Sequence, residues 1–316
     1  MNGELPQYHD ALDLLQQIDA PVKLVIAGNH DRTLDEHYVL SHRKQDGLSA
    51  EQAKAKVTRM RDFWLNESGR ARKEGVTFLE EGIHEIMLVN GASVKVYASP
   101  YTPAFMDFGF PYERYEDRYN PRGLELGYAI NIASTPVPSF TSTEGGGDRP
   151  LDILITHGPP HGRMDETSTG EHVGCPHLLR AVMRARPSVH CFGHIHEGWG
   201  AERVRWASEV DAVATATTTT NQWVDGGWEQ GVARTKNGAL AIQKQHLDLE
   251  NAKRMHGVFV DISKESGDEL KVGEESVSLN NFPLSNRELR RLTFGSCWST
   301  PRSWMRSTSP QMPRLW

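Results

Sequence analysis

An α/β fold is predicted by three apolar segments that each end in a short polar loop. Residues 22–27, 151–155 and 188–192 have the β-branched and apolar composition of buried strands. Each segment is followed directly by a loop that contains glycine or proline, residues that commonly end a strand. Ligands in open α/β sheets collect at the ends of such strands. We therefore expect the chemistry of this protein at these three loops.

The chain between these strands predicts helices and further strands. Apolar residues in 5–15 recur at three and four residues, which predicts an amphipathic helix before the first strand. A second helix is predicted at 49–66, after a polar connection at 41–47. Three strands of a second sheet are predicted at 76–79, 83–89 and 94–98, the last two as a hairpin around Asn90-Gly91.

The three loops carry side chains that commonly bind metals. Asn29 and His30 lie in the first loop, His157 in the second, and His194 and His196 in the third. Neutral imidazoles bind zinc, iron, nickel and copper, and an amide oxygen adds a harder ligand that manganese also accepts. A lone histidine is more often a hydrogen-bonded loop residue than a ligand. The set at three strand ends instead favours a metal-assisted hydrolase.

The motifs, in order, are Gly-Asn-His-Asp at 28–31, Thr-His-Gly-Pro-Pro at 156–160 and Gly-His-Ile-His at 193–196. In this order they resemble the calcineurin-like metallophosphoesterases, and the chain is most similar to the branch of metallophosphoesterase-domain-containing proteins. The similarity extends from about residue 3 to about residue 275. It implies a four-layer α/β/β/α sandwich with a two-metal site at the strand ends, and hydrolysis of phosphomonoesters or phosphodiesters.

The resemblance also implies a role for each loop residue. The implied metal ligands are Asn29, His157 and His194 for one divalent ion and His196 for the other. Manganese, iron, zinc and nickel all suit these donors. His30 would not bind metal but would protonate the leaving-group oxygen or stabilise the phosphoryl charge, and Asp31 would orient its ring. Two metals about 3.5 to 4 Å apart would polarise the phosphoryl oxygens.

Two motifs of that family are missing from this sequence. The family places Asp-x-His on its first strand and Gly-Asp on its second, both before Gly-Asn-His, whereas residues 1–8 resemble the segment that follows Gly-Asp. We therefore expect a domain truncated at its N-terminus by two strands and three ligands. The four remaining ligands are neutral and cannot offset the repulsion between two divalent ions. At an effective dielectric constant near 20, that repulsion is about 4 kcal/mol for each of four unit-charge pairs. Residues 1–316 are expected to hold one metal or none and to hydrolyse poorly.

Three functional interpretations remain. The favoured one is a metallophosphoesterase fold whose complete version hydrolyses a phosphoester. The second is a catalytically impaired pseudoenzyme, or truncated gene product, that binds phosphorylated ligands or a partner without turnover. The third is a non-binding fragment that the missing strands destabilise. Because both ends of the chain depart from the family, an alternative or misjudged version of a gene is also a hypothesis for its origin.

A small phosphoester or nucleotide is the expected substrate. Residues 99–120 are rich in aromatic side chains, which either form a rim that stacks on a base or pack into a small core of their own. Tyr101 from this segment and Trp199 beyond the third loop are the candidate substrate contacts. Three further histidines are expected to be solvated loop residues rather than phosphate ligands: His161, His172 and His177.

Composition predicts one large domain and excludes several classes of protein. With 316 residues and 38% hydrophobic content, the chain can bury a substantial core, which we place at 1–284. A net charge of −6 argues against generic nucleic-acid binding. No run of 18 apolar residues predicts a membrane span, and three widely spaced cysteines predict no disulfide framework, so a cytoplasmic location is expected. Nothing in the sequence indicates an oligomeric state.

The C-terminal part of the chain departs from the family. Residues 276–282 do not match the last strand that the resemblance leads one to expect. Residues 285–316 carry six arginines and one glutamate among Ser, Thr and Pro, which predicts a basic, disordered tail. The remaining predictions are a Gly-rich linker at 144–148, an Ala/Thr-rich insertion at 211–221, a helix at 247–255 and a strand at 257–262.

Overall fold

A computed structural model describes residues 3–140, 150–206, 245–246 and 270–280. The predicted tail, linker, Ala/Thr-rich insertion, helix 247–255 and strand 257–262 lie outside these residues. The described helices are α1 (Leu5–Gln16), α2 (Glu36–His42), α3 (Ala50–Leu65), α4 (Arg70–Lys73) and α5 (Pro176–Ala185). No described helix has the length and apolar content needed to cross a bilayer.

The described strands fall into one large sheet and three pairs of strands. They are β1 (Lys23–Val25), β2 (Val76–Phe78), β3 (Gly82–Met87), β4 (Ser93–Ser99), β5 (Thr102–Pro103), β6 (Pro111–Tyr112), β7 (Glu116–Asp117), β8 (Ile130–Asn131), β9 (Ile153–Thr156), β10 (Val189–Phe192), β11 (Gly200–Arg205), β12 (Gln245–His246) and β13 (Glu275–Asn280). The large sheet has the order β12-β11-β13-β10-β9-β4-β3. Its central strands β4, β9, β10 and β13 are parallel, so their loops emerge at one edge.

The layers follow from the alternation of side chains along the strands. An apolar cluster fills the space between the β1–β2 pair and the large sheet. It contains Leu24 of β1, Val96 of β4 and Ile153 of β9. Val25 points the other way, into a cluster with α1 and α3. On the far side of the large sheet, Leu154 packs with α5. The predicted four-layer α/β/β/α arrangement is therefore confirmed.

Helices α1 and α3 occur where the apolar spacing predicted them. In α3 the buried stripe consists of Ala53, Val57, Met60 and Trp64. Its N-terminus is fixed by Ser49, whose hydroxyl accepts from the Gln52 N–H while the Gln52 side chain accepts from the Ser49 N–H. This reciprocal capping satisfies two backbone donors that a helix start leaves open.

Two predictions about the elements were wrong, and one strand was not predicted. Strand β2 pairs in parallel with β1 and not with the β3–β4 hairpin, which joins the large sheet instead. The connection predicted at 41–47 is shorter, because α2 continues to His42. Residues 275–280, which did not match the expected last strand, form the buried strand β13 between β10 and β11.

Candidate metal centre

The three polar loops meet at one edge of the sandwich. Strands β9 and β10 are adjacent and parallel, so the loops that carry His157 and His194 leave the sheet side by side. The loop after β1 reaches them from the other sheet. Asn29 Oδ1 lies 2.9 Å from His157 Nε2, and the rings of His157 and His194 are 4.9 Å apart. The structure thus brings together the three residues predicted to share one ion.

Burial keeps the central imidazoles neutral. Burial is the largest cause that lowers the pKa of His157 to about 3, and the charges of His194, His30 and His196 contribute to the same shift. The pKa of His194 falls to about 4 for the same reason, with contributions from His196 and His30. These effects place all four histidines in one electrostatic neighbourhood. Near pH 7 the two central rings retain the lone pairs that a metal requires.

Gly28 allows the His157 ring to approach the first loop. A Cβ atom at Gly28 would lie 2.6 Å from His157 Cε1, closer than a side-chain carbon can approach. The Gly28 N–H donates to Asp31 Oδ2 at 2.8 Å, which closes the loop on itself. Burial raises the pKa of Asp31, while that hydrogen bond and the nearby His30 lower it. The predicted orientation of the His30 ring by Asp31 stays a prediction.

The third loop is held in an unusual conformation. His194 has φ of 71°, a left-handed conformation that costs a non-glycine residue about 1 kcal/mol or more. The side-chain amide of Asn280, at the end of β13, donates to the carbonyl oxygens of Ile195 and Met164 at 2.9 and 2.8 Å. Asn280 therefore ties the third loop to the loop that follows His157. Sequence analysis missed it because its strand was not recognised.

A second missed feature fixes the start of the His157 loop. The Thr156 hydroxyl donates to the Gly158 carbonyl oxygen at 2.8 Å and lies 2.9 Å from His190 Nε2. Since that hydroxyl has only one proton, His190 must donate through Nε2–H. Burial lowers the pKa of His190 to about 3, so the ring is neutral, and its Nδ1 has no hydrogen-bond partner among the described residues.

His30 and the aromatic segment lie at the outer side of the site. His30 is exposed, and its ring is 4.7 Å from that of Phe108. Three other aromatic side chains of the segment are buried, Phe110, Tyr112 and Tyr119, whereas Phe105 is 66% exposed. These three rings therefore pack into the main core and form neither a rim nor a core of their own: Phe110 packs with α1 and α3, and Tyr112 and Tyr119 pack with α5. Phe108 is half-buried.

The two candidate substrate contacts have different surroundings. The face of the Tyr101 ring is covered by the Arg118 guanidinium, whose Cζ lies 3.3 Å from the ring centroid. Trp199 is half-buried and follows the short 3₁₀ helix His196–Gly198. Their roles in substrate binding stay predictions.

The three additional histidines differ in exposure: His172 is exposed, as expected, whereas His177 is buried and His161 largely buried, contrary to expectation. His177 is fully buried near Asp117, and its Nε2 lies 3.1 Å from the Arg114 carbonyl oxygen. His172 Nδ1 lies 2.7 Å from an oxygen of the buried Asp165. His161 is largely buried beside the same carboxylate. The spacing of these residues in the sequence could not show that the buried Asp165 lies beside both His161 and His172.

The chemistry of the donors fits one divalent ion. Asn29 offers a neutral oxygen and His157 and His194 offer neutral nitrogens, a combination that suits several transition metals. In the described part of the chain, no three His, Cys, Asp or Glu side chains are already arranged around a common point suited to a metal. The carboxylate of the first loop, Asp31, is hydrogen-bonded to Gly28. The loops therefore supply neutral ligands for one ion and no evident carboxylate to bridge two.

Replacing Thr156 by valine should weaken metal binding about 10- to 100-fold, because residues that orient ligands commonly have effects of this size. Valine keeps the volume of threonine but leaves the Gly158 carbonyl oxygen and the His190 N–H unpaired. Zinc affinity can be measured by competition with a coloured chelator. Thr156→Ser keeps the hydroxyl and should bind like the native protein. A valine variant with native affinity would show that this hydrogen-bonded chain has no role in positioning His157.

The site lies in the part of the chain that matches known proteins. Residues 2–198 match the model of the calcineurin-like phosphoesterase family. Metallophosphoesterase domain-containing protein 1 of Homo sapiens is 31% identical over 185 residues, which are 56% of this chain and 45% of that protein. UPF0046 protein T07D4.2 of Caenorhabditis elegans is 28% identical over 198 residues, 61% of this chain and 43% of that protein. The chain thus spans less than half the length of these curated relatives.

Proposed function

Because the chain belongs to the calcineurin-like phosphoesterase family, we propose that its three-loop site acts in the metal-dependent hydrolysis of a small phosphoester. Hydrolysis of ester bonds with divalent metal ions is the activity of that family. The observation that carries the proposal is the 2.9 Å contact of Asn29 Oδ1 with His157 Nε2, which joins loops from the two sheets. Such a contact places an oxygen and a nitrogen donor where one ion can take both.

The residues of the site divide into ligands and a proton donor. Asn29, His157 and His194 would hold one ion, and in the two-metal site of the family His196 would be a ligand of the second. The bound metal would supply positive charge that polarises the phosphoryl oxygens. His30, exposed at the outer side, would donate a proton to the leaving-group oxygen from an imidazole nitrogen. The exposed position suits this role, because a substrate can reach the ring.

Binding without turnover is the second candidate. The donors that surround His157 are neutral, and Asp31, the acid of the first loop, is hydrogen-bonded to Gly28. A second divalent ion held by neutral ligands alone would be repelled by the first. In this alternative the loops bind a phosphorylated ligand or a partner, with one metal or none.

Metal stoichiometry tests the proposed site. Residues 1–316 would be dialysed against manganese or zinc, and the bound metal would be counted by plasma mass spectrometry. We expect up to one equivalent, lost when both His157 and His194 are changed to alanine. A control with alanine at His37 and His84, which lie outside the three loops, should bind like the native protein. Two equivalents would contradict the argument from neutral ligands, and equal binding by both variants would overturn the site.

Turnover then separates the two candidates. Hydrolysis of p-nitrophenyl phosphate and bis-p-nitrophenyl phosphate would be followed with the metal that binds best. Release of nitrophenol that the double variant abolishes supports the phosphoesterase. Metal binding without nitrophenol release, in a protein that unfolds cooperatively, supports the second candidate.

A further inference from the structure

Arg32, just beyond the candidate proton donor, is held between two aromatic rings. Its guanidinium carbon lies 5.2 Å from the ring centroid of Phe108 and 5.4 Å from that of Tyr38. These distances are within the range of cation–π attraction. The rings fix the place of a cation but offer no hydrogen-bond acceptor to its N–H groups.

No acidic partner accounts for this arginine within the described ranges. Its Nε is buried and has no hydrogen-bond partner there, and no ion pair of Arg32 is found among the same residues. Asp107, which precedes Phe108 in the chain, already has two partners: one oxygen accepts from the Tyr38 hydroxyl at 3.1 Å and the other lies 3.0 Å from His42 Nε2. A guanidinium has five donors in a planar fork and normally meets an anion. The Arg32 guanidinium is therefore available to bind an anionic ligand.

Phe108 connects this arginine to the metal centre. The same ring that contacts Arg32 lies 4.7 Å from the ring of His30. Directly after Phe108, the Gly109 N–H donates to the carbonyl oxygen of Asn29 at 2.9 Å. Arg32 and His30 thus both contact the Phe108 ring. The segment that carries this ring is hydrogen-bonded to Asn29, a predicted metal ligand.

The position of the two rings is fixed from a second direction. Asp35 accepts from the Tyr38 N–H at the start of α2 and from the Phe110 N–H at 2.6 Å. It joins the helix that carries Tyr38 to the segment that carries Phe108. Because Asp35 is buried, its hydrogen bonds hold α2 and the segment of Phe108 together without any ligand. Arg32 is therefore preorganised before an anion binds.

We propose that Arg32 binds the phosphoryl oxygens of the substrate beside His30 and gives this site a preference for phosphomonoesters over phosphodiesters. The inference rests on the proposed function, since it concerns the substrate of the same site. A monoester above its second pKa carries two negative charges and three free oxygens, whereas a diester carries one charge and two free oxygens. The metal ligands around His157 are neutral, so a fixed cation supplied by the chain itself discriminates between the two charges.

Calorimetric titration with phenyl phosphate and diphenyl phosphate tests this preference at pH 8, with metal and with a chelator. In the native protein phenyl phosphate should bind more tightly. Arg32→Gln should weaken phenyl phosphate binding about 10- to 100-fold, the effect of losing a hydrogen bond to a charged group, and diphenyl phosphate binding much less. Arg32→Lys should keep part of the preference as a point charge.

The control is Arg72→Gln, which removes an arginine that already has an exposed acidic partner, Glu67. This variant should bind both ligands like the native protein, and thermal unfolding would show that each variant is folded. An Arg32→Gln variant that loses equal affinity for both ligands, or none, would overturn the proposal. Because metal counts should be unchanged in that variant, loss of the preference is distinguishable from failure of the metal site. Monoester binding without hydrolysis would leave the preference intact and count against the phosphoesterase.

Discussion

Replacing His30 by alanine is expected to lower phosphoester hydrolysis about 100- to 10,000-fold in any catalytically active form of this domain, the range typical of a lost general acid. Metal stoichiometry should stay unchanged. The reason is the position of the ring: His30 is exposed and borders Phe108, whereas Asn29 and His157 contact each other without it. Steady-state rates and plasma mass spectrometry on the same preparation would measure both quantities.

His194→Ala is the matched comparison for His30→Ala. It removes a ring that lies 4.9 Å from His157, so metal and activity should fall together. A rate that falls more with a poor leaving group than with p-nitrophenol would identify His30 as the proton donor, because a good leaving group needs less protonation. If His30→Ala lost metal as completely as His194→Ala, His30 would be a ligand and its assigned role would be wrong.

The strand ends of this site could be predicted because their signals are local. A strand that ends in Gly-Asn-His or Gly-His-Ile-His is visible in a few consecutive residues, and the apolar spacing of α1 and α3 is equally local. Strand partners are not encoded in this way. The pattern of β2 suits either sheet, and only packing of Val76 against α1 and α3 decides that it pairs with β1.

The supporting residues could not be predicted because each acts across a long sequence separation. Asn280 reaches Ile195 from a neighbouring strand, and His190 reaches Thr156 in the same manner. Nothing in either local sequence distinguishes these side chains from ordinary strand residues. Arg32 was overlooked for a related reason, since its significance depends on rings from α2 and from the aromatic segment. Long-range hydrogen bonds and ring contacts are properties of the folded chain.

Gly28→Ala should weaken metal binding about 10- to 100-fold, an effect comparable to the loss of a ligand-orienting residue. The added methyl group would lie 2.6 to 3.0 Å from three atoms of the His157 ring. That ring is half-buried and hydrogen-bonded to Asn29, so relief of the overlap must separate the two loops. Overpacking of this kind costs about 1–3 kcal/mol of stability. Chelator competition and thermal unfolding would measure the two effects.

Gly127→Ala provides the control for this change, because a Cβ atom there would meet no atom within 4 Å. It should leave metal affinity and unfolding temperature unchanged. Gly28→Ala then distinguishes two roles of the close approach at Gly28, formation of the metal site and packing of the two sheets alone. If the Asn29–His157 contact creates the metal site, a single methyl group that separates the loops must reduce affinity even though every proposed ligand is still present. If the variant bound metal as tightly as the native protein, the ligands would have to lie elsewhere, and the close approach at Gly28 would serve only the packing of the two sheets.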